Sequence, residues 1–184
     1  MRFVFLLVIM MSSNMLSARA IDKSPDQLKI IAMINKAAKT NNLELIKEYK
    51  KYGGNLNVQD EKGYSPLIYA AYYGHDDLVT YLIHEGANPC LEDKRGNTAL
   101  MGAIFKGNLK SAYVLMKSKC SINHKNKANQ NALMYAALFD RKEIAKELMK
   151  KGLKPSQKDH QGESAISLAE KQMNQSMLEL LGAE

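Results

Sequence analysis

Four histidines (His75, His84, His124 and His160) and two cysteines (Cys90 and Cys120) are the side chains of this 184-residue chain best suited to act as bases, nucleophiles or metal ligands. Nucleophilic catalysis needs a base within reach of the nucleophile, and a metal site needs ligands at short, regular spacings. Neither pattern is present. The histidines are far apart in sequence, His84 and His124 have no evident carboxylate or cysteine partner, and the cysteines are neither spaced nor accompanied like zinc ligands. There is no G-x-S-x-G, H-E-x-x-H, Walker loop or dinucleotide fingerprint. Asp60, Asp93 and Asp159 lie in turn-forming stretches, where a carboxylate supports the backbone. The chain reads as not an enzyme, with no metal and no cofactor.

What positions these residues is a spacing of 33. Ala37-Ala38 with Asn41 and Leu45 is followed by Ala70-Ala71 with Gly74 and Leu78, then by Ala103, Gly107 and Leu115, then by Ala136-Ala137, Ile144 and Leu148. Within one period Asp60-Glu61-Lys62-Gly63 forms a tight turn, Ser65-Pro66 caps and opens a helix holding Leu67, Ala70 and Ala71, and Gly74-His75 reverses the chain. Leu78, Val79, Leu82 and Ile83 then give the apolar face of an antiparallel second helix, which Gly86-Ala87-Asn88-Pro89 stops. Ser65, Thr98, Asn131 and Ser164 share the helix-start position, so the caps support the period independently of the apolar residues.

The order D-x-x-G-x-S-P-L, A-A, G-H, L-V-x-x-L-I and G-A-N from Asp60 to Asn88 resembles an ankyrin repeat. The resemblance implies an all-α ankyrin-repeat solenoid of helix-turn-helix units with short hairpin turns, about five repeats including atypical end caps. It divides the chain into an N-terminal capping repeat at 21–58, full repeats at 59–91, 92–124 and 125–157, and a truncated C-terminal capping repeat at 158–184. His75 takes the repeat's own G-H position. The second full unit departs at Ser111, where Leu78 stood, and at Lys119, in place of the helix-ending glycine, so its second helix is expected to pack less well. In the third, Asn129 replaces the turn glycine, a tolerable change at positive φ. Ser24-Pro25-Asp26-Gln27 is a capping-box-like start for a longer first helix.

Residues 1–20 read as an export signal: Met1-Arg2 is positive, Phe3 to Met11 is apolar, and Ala18-Arg19-Ala20 is an A-x-A cleavage site. The apolar run is too short for a permanent membrane helix, so no stable membrane insertion is expected. The mature protein would be periplasmic; a start at Met10, Met11 or Met15 would instead leave it in the cytosol. Cleavage removes Arg2 and Arg19, lowering the net charge from +7 to +5. Lysines are scattered, without a dense basic run, so an acidic protein surface is a better partner than nucleic acid. An oxidising compartment permits a disulfide, but Cys120 corresponds to Ala87 and Cys90 to Asn57 and Asn123. Bridging distance is therefore doubtful, and two small buried apolar residues are favoured.

In the repeat geometry the first helices bring side chains to one concave face in three ladders: Tyr69, Gly102, Tyr135; Tyr72, Phe105, Leu138; and Tyr73, Lys106, Phe139. Rings bury much area at modest entropy cost and serve as binding anchors. Tyr64, Arg95 and Lys127 at the turn tips complete the expected partner-binding surface, because ankyrin proteins commonly bind through tips and concave helices. The expected partner is another protein, bound by a chain that is monomeric on its own. The exported stack resembles bacterial ankyrin-repeat immunity proteins of contact-dependent (type VI) secretion effectors, which implies neutralising a toxic effector such as a phospholipase (a lipase) by covering its active or membrane-docking face. The alternative is a periplasmic accessory protein assisting an enzyme such as catalase.

Overall fold

The computed structural model describes residues 24–182, so the export segment at 1–20 and the internal starts lie outside the described residues. Among the described residues ten helices form five consecutive pairs: α1 (Pro25–Lys39) and α2 (Leu43–Lys51), α3 (Pro66–Tyr73) and α4 (Asp76–His84), α5 (Ala99–Lys106) and α6 (Leu109–Met116), α7 (Ala132–Leu138) and α8 (Lys142–Lys150), α9 (Ala165–Lys171) and α10 (Gln175–Leu181). The first helices pack side by side from α1 to α9, more closely than the second helices do. Alanine makes this approach feasible: Ala38, Ala70, Ala71, Ala103, Ala136 and Ala137 are all fully buried where one layer meets the next. Leu78, Leu82, Ile144 and Leu148 fill the space between the two rows. No helix among the described residues is long and apolar enough to cross a membrane.

Caps start the helices. Ser24 and Gln27 form the expected capping box at α1. Ser65, Asn131 and Ser164 each accept from a main-chain amide three residues on, whereas Thr98 is buried and makes no such bond. Between paired helices one residue per unit turns left-handed, in register at Asn41, Gly74, Gly107, Asp140 and Met173.

Adjacent units are tied at both edges. At the tips Asp60, Asp93, Asn126 and Asp159 each accept two amides through Oδ1, from the second and fourth residues onward, at 2.8–3.0 Å. Main-chain bonds then join tip to tip: Lys94 N donates to the Lys62 carbonyl at 2.9 Å, Lys127 N to Arg95 at 3.0 Å and His160 N to Ala128 at 3.0 Å. Gly63 and Gly96 are required twice over, by φ near +80° and by proximity, because a Cβ on Gly96 would stand 2.7 Å from the Lys127 nitrogen. Asn129 takes the same conformation at φ 63° and donates its amide to the Lys158 carbonyl. At the other edge, a side chain just after three of the helix turns reaches back to the preceding unit's first helix. His75 Nε2 donates to the Lys39 carbonyl, Asn108 Nδ2 to those of Ala71 and Tyr72, and Arg141 to those of Ile104 and Phe105.

The two departures of the third pair have separate outcomes. Ser111 is completely buried, yet its hydroxyl donates to Asp76 Oδ1 at 2.6 Å, so the lost leucine leaves no unpaired polar atom. Cys90 and Cys120 are bonded to each other, with Cα atoms 5.2 Å apart. Neither is a buried apolar residue: Cys90 is exposed and Cys120 half-buried. The cause lies at Lys119. Gly53, Gly86 and Gly152 turn left-handed after α2, α4 and α8, letting Ala87 and Leu153 fold back into the interior. Lys119 does not take that conformation, and Ser118 closes the end of α6 instead by bonding the Leu115 carbonyl. Cys120 thus leaves the slot that its register assigns and meets the loop after α4.

Candidate interaction surface

The C-terminal halves of α3, α5 and α7 put their rings on one face as a continuous strip. Tyr72 and Phe105 stack across the α3–α5 boundary, with centroids 5.9 Å apart and planes 16° from parallel. Phe105 meets Phe139 edge-on at 4.7 Å, and Phe139 continues to Tyr135 at 6.0 Å. At the other end Tyr72 touches Tyr73, which stacks on His75 at 6.2 Å. Tyr73 and Phe105 are exposed, and Tyr72, Tyr135 and Phe139 are half-buried, so the strip is supported from below and open above.

The strip keeps the Tyr72–Phe105 step of the expected ladders and adds contacts that cross from one column to another. Phe105 contacts Phe139 rather than being confined to a column with Tyr72 and Leu138, and Lys106 stands over Tyr72, 5.4 Å from its centroid, rather than joining Tyr73. α7 ends one residue early, at Leu138, which leaves Phe139 at the cap with its ring against the neighbouring unit's phenylalanine. Leu138 is half-buried beside it. Lys39, which the sequence reading missed, covers Tyr73 at 5.5 Å. Extending the Tyr72, Phe105 column one period toward the N-terminus arrives at it.

Tyr64, Tyr69 and Tyr135 lie between strip and tips. Tyr64 and Tyr69 pack edge-on at 5.3 Å, and the Tyr69 hydroxyl donates to Asp60 Oδ2 at 2.8 Å. The Tyr135 hydroxyl donates to Asn97 Oδ1 at 2.8 Å. Burial raises the pKa of all three phenols; at Tyr69 the bond to Asp60 adds to it. These hydroxyls brace the tips from beneath while the ring faces continue the concave surface. Arg95 and Lys127 are exposed on successive tips.

Among the described residues His75, His84 and His124 stand apart from one another, each with its own local partner. His75 has the structural role its position implies. His124 does have a carboxylate nearby, Glu92 at 3.7 Å, but its Nε2 lies 2.8 Å from the Gly96 carbonyl, which ties it to the tip. His84 likewise has a carboxylate partner, Glu85 Oε1 at 3.1 Å from its Nδ1, on an imidazole that faces solvent. Among the described residues no three His, Cys, Asp or Glu side chains cluster as metal ligands. A small cavity of about 10 Å³ lies away from the rings, against Leu100, Leu115 and Ile122, barely enough for one water. The ring face is open to solvent at Tyr73 and Phe105, where a macromolecular surface can rest.

Comparison with known proteins agrees with this architecture. A family model described as ankyrin repeats (3 copies) matches residues 34–126, 93 of the chain's 184 residues. Protein phosphatase 1 regulatory subunit 27 of Homo sapiens is 38% identical over 58 residues, which are 32% of this chain and 38% of that protein. The Notch-regulated ankyrin repeat-containing protein of Xenopus tropicalis is 48% identical over 42 residues, 23% of this chain and 37% of its own length. DNA-binding protein RFXANK of Homo sapiens is 39% identical over 57 residues, covering 30% and 22%. The chain thus spans well under half the length of these relatives.

Proposed function

From the premise that this chain belongs to the ankyrin-repeat family, and is a protein-binding module, we propose that it is an exported immunity protein. It binds a toxic secreted effector, of the phospholipase class, and neutralises it by covering the active or membrane-docking face. The observation that carries this reading is the ring strip itself: contiguous aromatics, two of them exposed, suit obstruction of another protein. The Cys90–Cys120 bond supports an oxidising compartment, in keeping with the export-type segment at 1–20 and with a periplasmic location.

Tagged protein used to capture partners from periplasmic extract should retain an effector, and cells lacking the gene should become sensitive to sister cells that deliver it. Tyr72→Ala combined with Phe105→Ala should weaken capture while circular dichroism and melting temperature stay near wild type. Insensitive cells whose periplasmic catalase activity falls would overturn immunity in favour of the accessory role. Loss of folding in the double variant would show the rings to be core.

A further inference from the structure

Six cations frame the ring face, and their placement specifies the partner's chemistry more narrowly than the scattered lysines of the sequence do. Lys39 and Lys106 stand over Tyr73 and Tyr72 at the turn edge. Lys62, Lys94, Arg95 and Lys127 are exposed at the tip edge. None of the six is ion-paired among the described residues. The nearby aspartates keep their charge but pair with none of these cations: both Oδ atoms of Asp60 and of Asp93 are engaged by tip amides, the Tyr69 hydroxyl and the Asn97 amide. Glu61 and Glu92 are the exposed carboxylates of that stretch, and Glu92 is 3.7 Å from His124.

Resting on the reading of this face as a protein-binding surface, we propose that the partner presents an acidic ridge. An apolar side chain of the ridge sits on the rings of Tyr72, Phe105 and Phe139. Its carboxylates reach Lys39 and Lys106 on one side and Arg95 and Lys127 on the other, across the length of an eight-residue helix, about 12 Å, and the tip residues before it. An isolated exposed ion pair contributes little; carboxylates that flank a buried apolar contact are partly shielded from solvent and set register and association rate. A polypeptide fits better than a nucleic acid, because Glu61 and Glu92 interrupt the basic edge where a continuous phosphate backbone would run.

The test uses the intact oxidised chain and fluorescein-labelled peptides of about ten residues, enough to cross three units when extended. One carries glutamates around a central Leu-Phe pair, and its analogues carry glutamine or lysine. Oligo(dT) of matching charge is the fourth probe. The glutamate peptide should bind about tenfold more tightly than the glutamine peptide, with the ratio falling toward one in high salt. Lys39→Glu with Lys106→Glu should remove the preference without moving the melting temperature; Arg95→Glu with Lys127→Glu should act alike. Equal binding of the glutamate and glutamine peptides, preference for lysine, tighter binding of oligo(dT), or no binding of any peptide overturns the acidic ridge. Should charge reversal leave effector capture intact while the Tyr72 and Phe105 alanines abolish it, the ridge fails and the surface stands. Should the alanines also leave capture intact, the surface itself is wrong.

Discussion

The tip edge and the turn edge of the stack are joined by different means, and the difference decides how freely residues vary at each. Tips meet main chain to main chain, through Lys62–Lys94, Arg95–Lys127 and Ala128–His160. Such contact leaves no room for a Cβ at Gly63 or Gly96 and holds the head of each tip to Asp or Asn. At the turn edge a side chain spans the gap, so histidine, asparagine and arginine all serve at 75, 108 and 141. Only a donor of adequate reach is needed there. The tip edge is also the one that carries the covalent tie, since Cys90 and Cys120 lie just before the tips headed by Asp93 and Asn126.

That contrast sets the order of expected effects. Replacing Cys90 and Cys120 by serine should cost about 3 to 4 kcal/mol in urea unfolding, the loop entropy of a bridge with sequence separation 30. Unchanged stability after full reduction would show that the bond does not hold the tip edge. Gly96→Val should cost about 2 to 4 kcal/mol, from positive φ and the clash with Lys127 N. Gly162→Ala, at the last tip with no neighbour within 4 Å, should cost only about 1 kcal/mol. Equal costs would mean that close approach between tips is immaterial.

At the turn edge Arg141→Ala should lose about 1.5 to 3 kcal/mol, and Arg141→Asn should recover most of it, as Asn108 makes the equivalent bonds naturally. If asparagine does no better than alanine, donor capacity is not what the position requires. The smallest effect lies at Glu163. No further tip follows the one headed by Asp159 among the described residues, and Glu163 there bonds Lys171 and Ser167. The Lys171 ammonium, and then the Ser167 hydroxyl, hold its carboxyl below the ordinary 4.5. A depressed folded value stabilises above the unfolded pKa and is lost as pH falls through the folded one, so the contribution is complete at neutral pH and disappears in acid. Carboxyl NMR titration should show Glu163 protonating below 4.5, and Lys171→Met should move it up toward the ordinary range, with the Ser167 bond still holding it down in part.

The repeat, the helix pairs and the rings were legible because each is written locally and then repeated: a turn, a cap, two alanines and a reversal every 33 residues. What escaped depends on where a unit departs from its own pattern. Register placed Cys120 in the slot of Ala87, but without a left-handed residue at Lys119 the chain never turns back into that slot. Columns of equivalent positions predicted that Phe139 would align with Lys106, whereas an α7 shortened by one residue brings its ring to Phe105. Lys39 was overlooked because the atypical first unit was read as a cap rather than as a contributor to the face. Thr98 shows the reverse case, a residue of the right type at the right position that makes no cap bond.

The sulfur bridge also governs how the molecule would yield to force. Pulled from its two ends, it would unravel repeat by repeat, but the stretch between Cys90 and Cys120, with separation 30, could not lengthen while the bridge lasts. An optical-tweezer trace in oxidising buffer would therefore end about 100 Å short of its length after reductant is added.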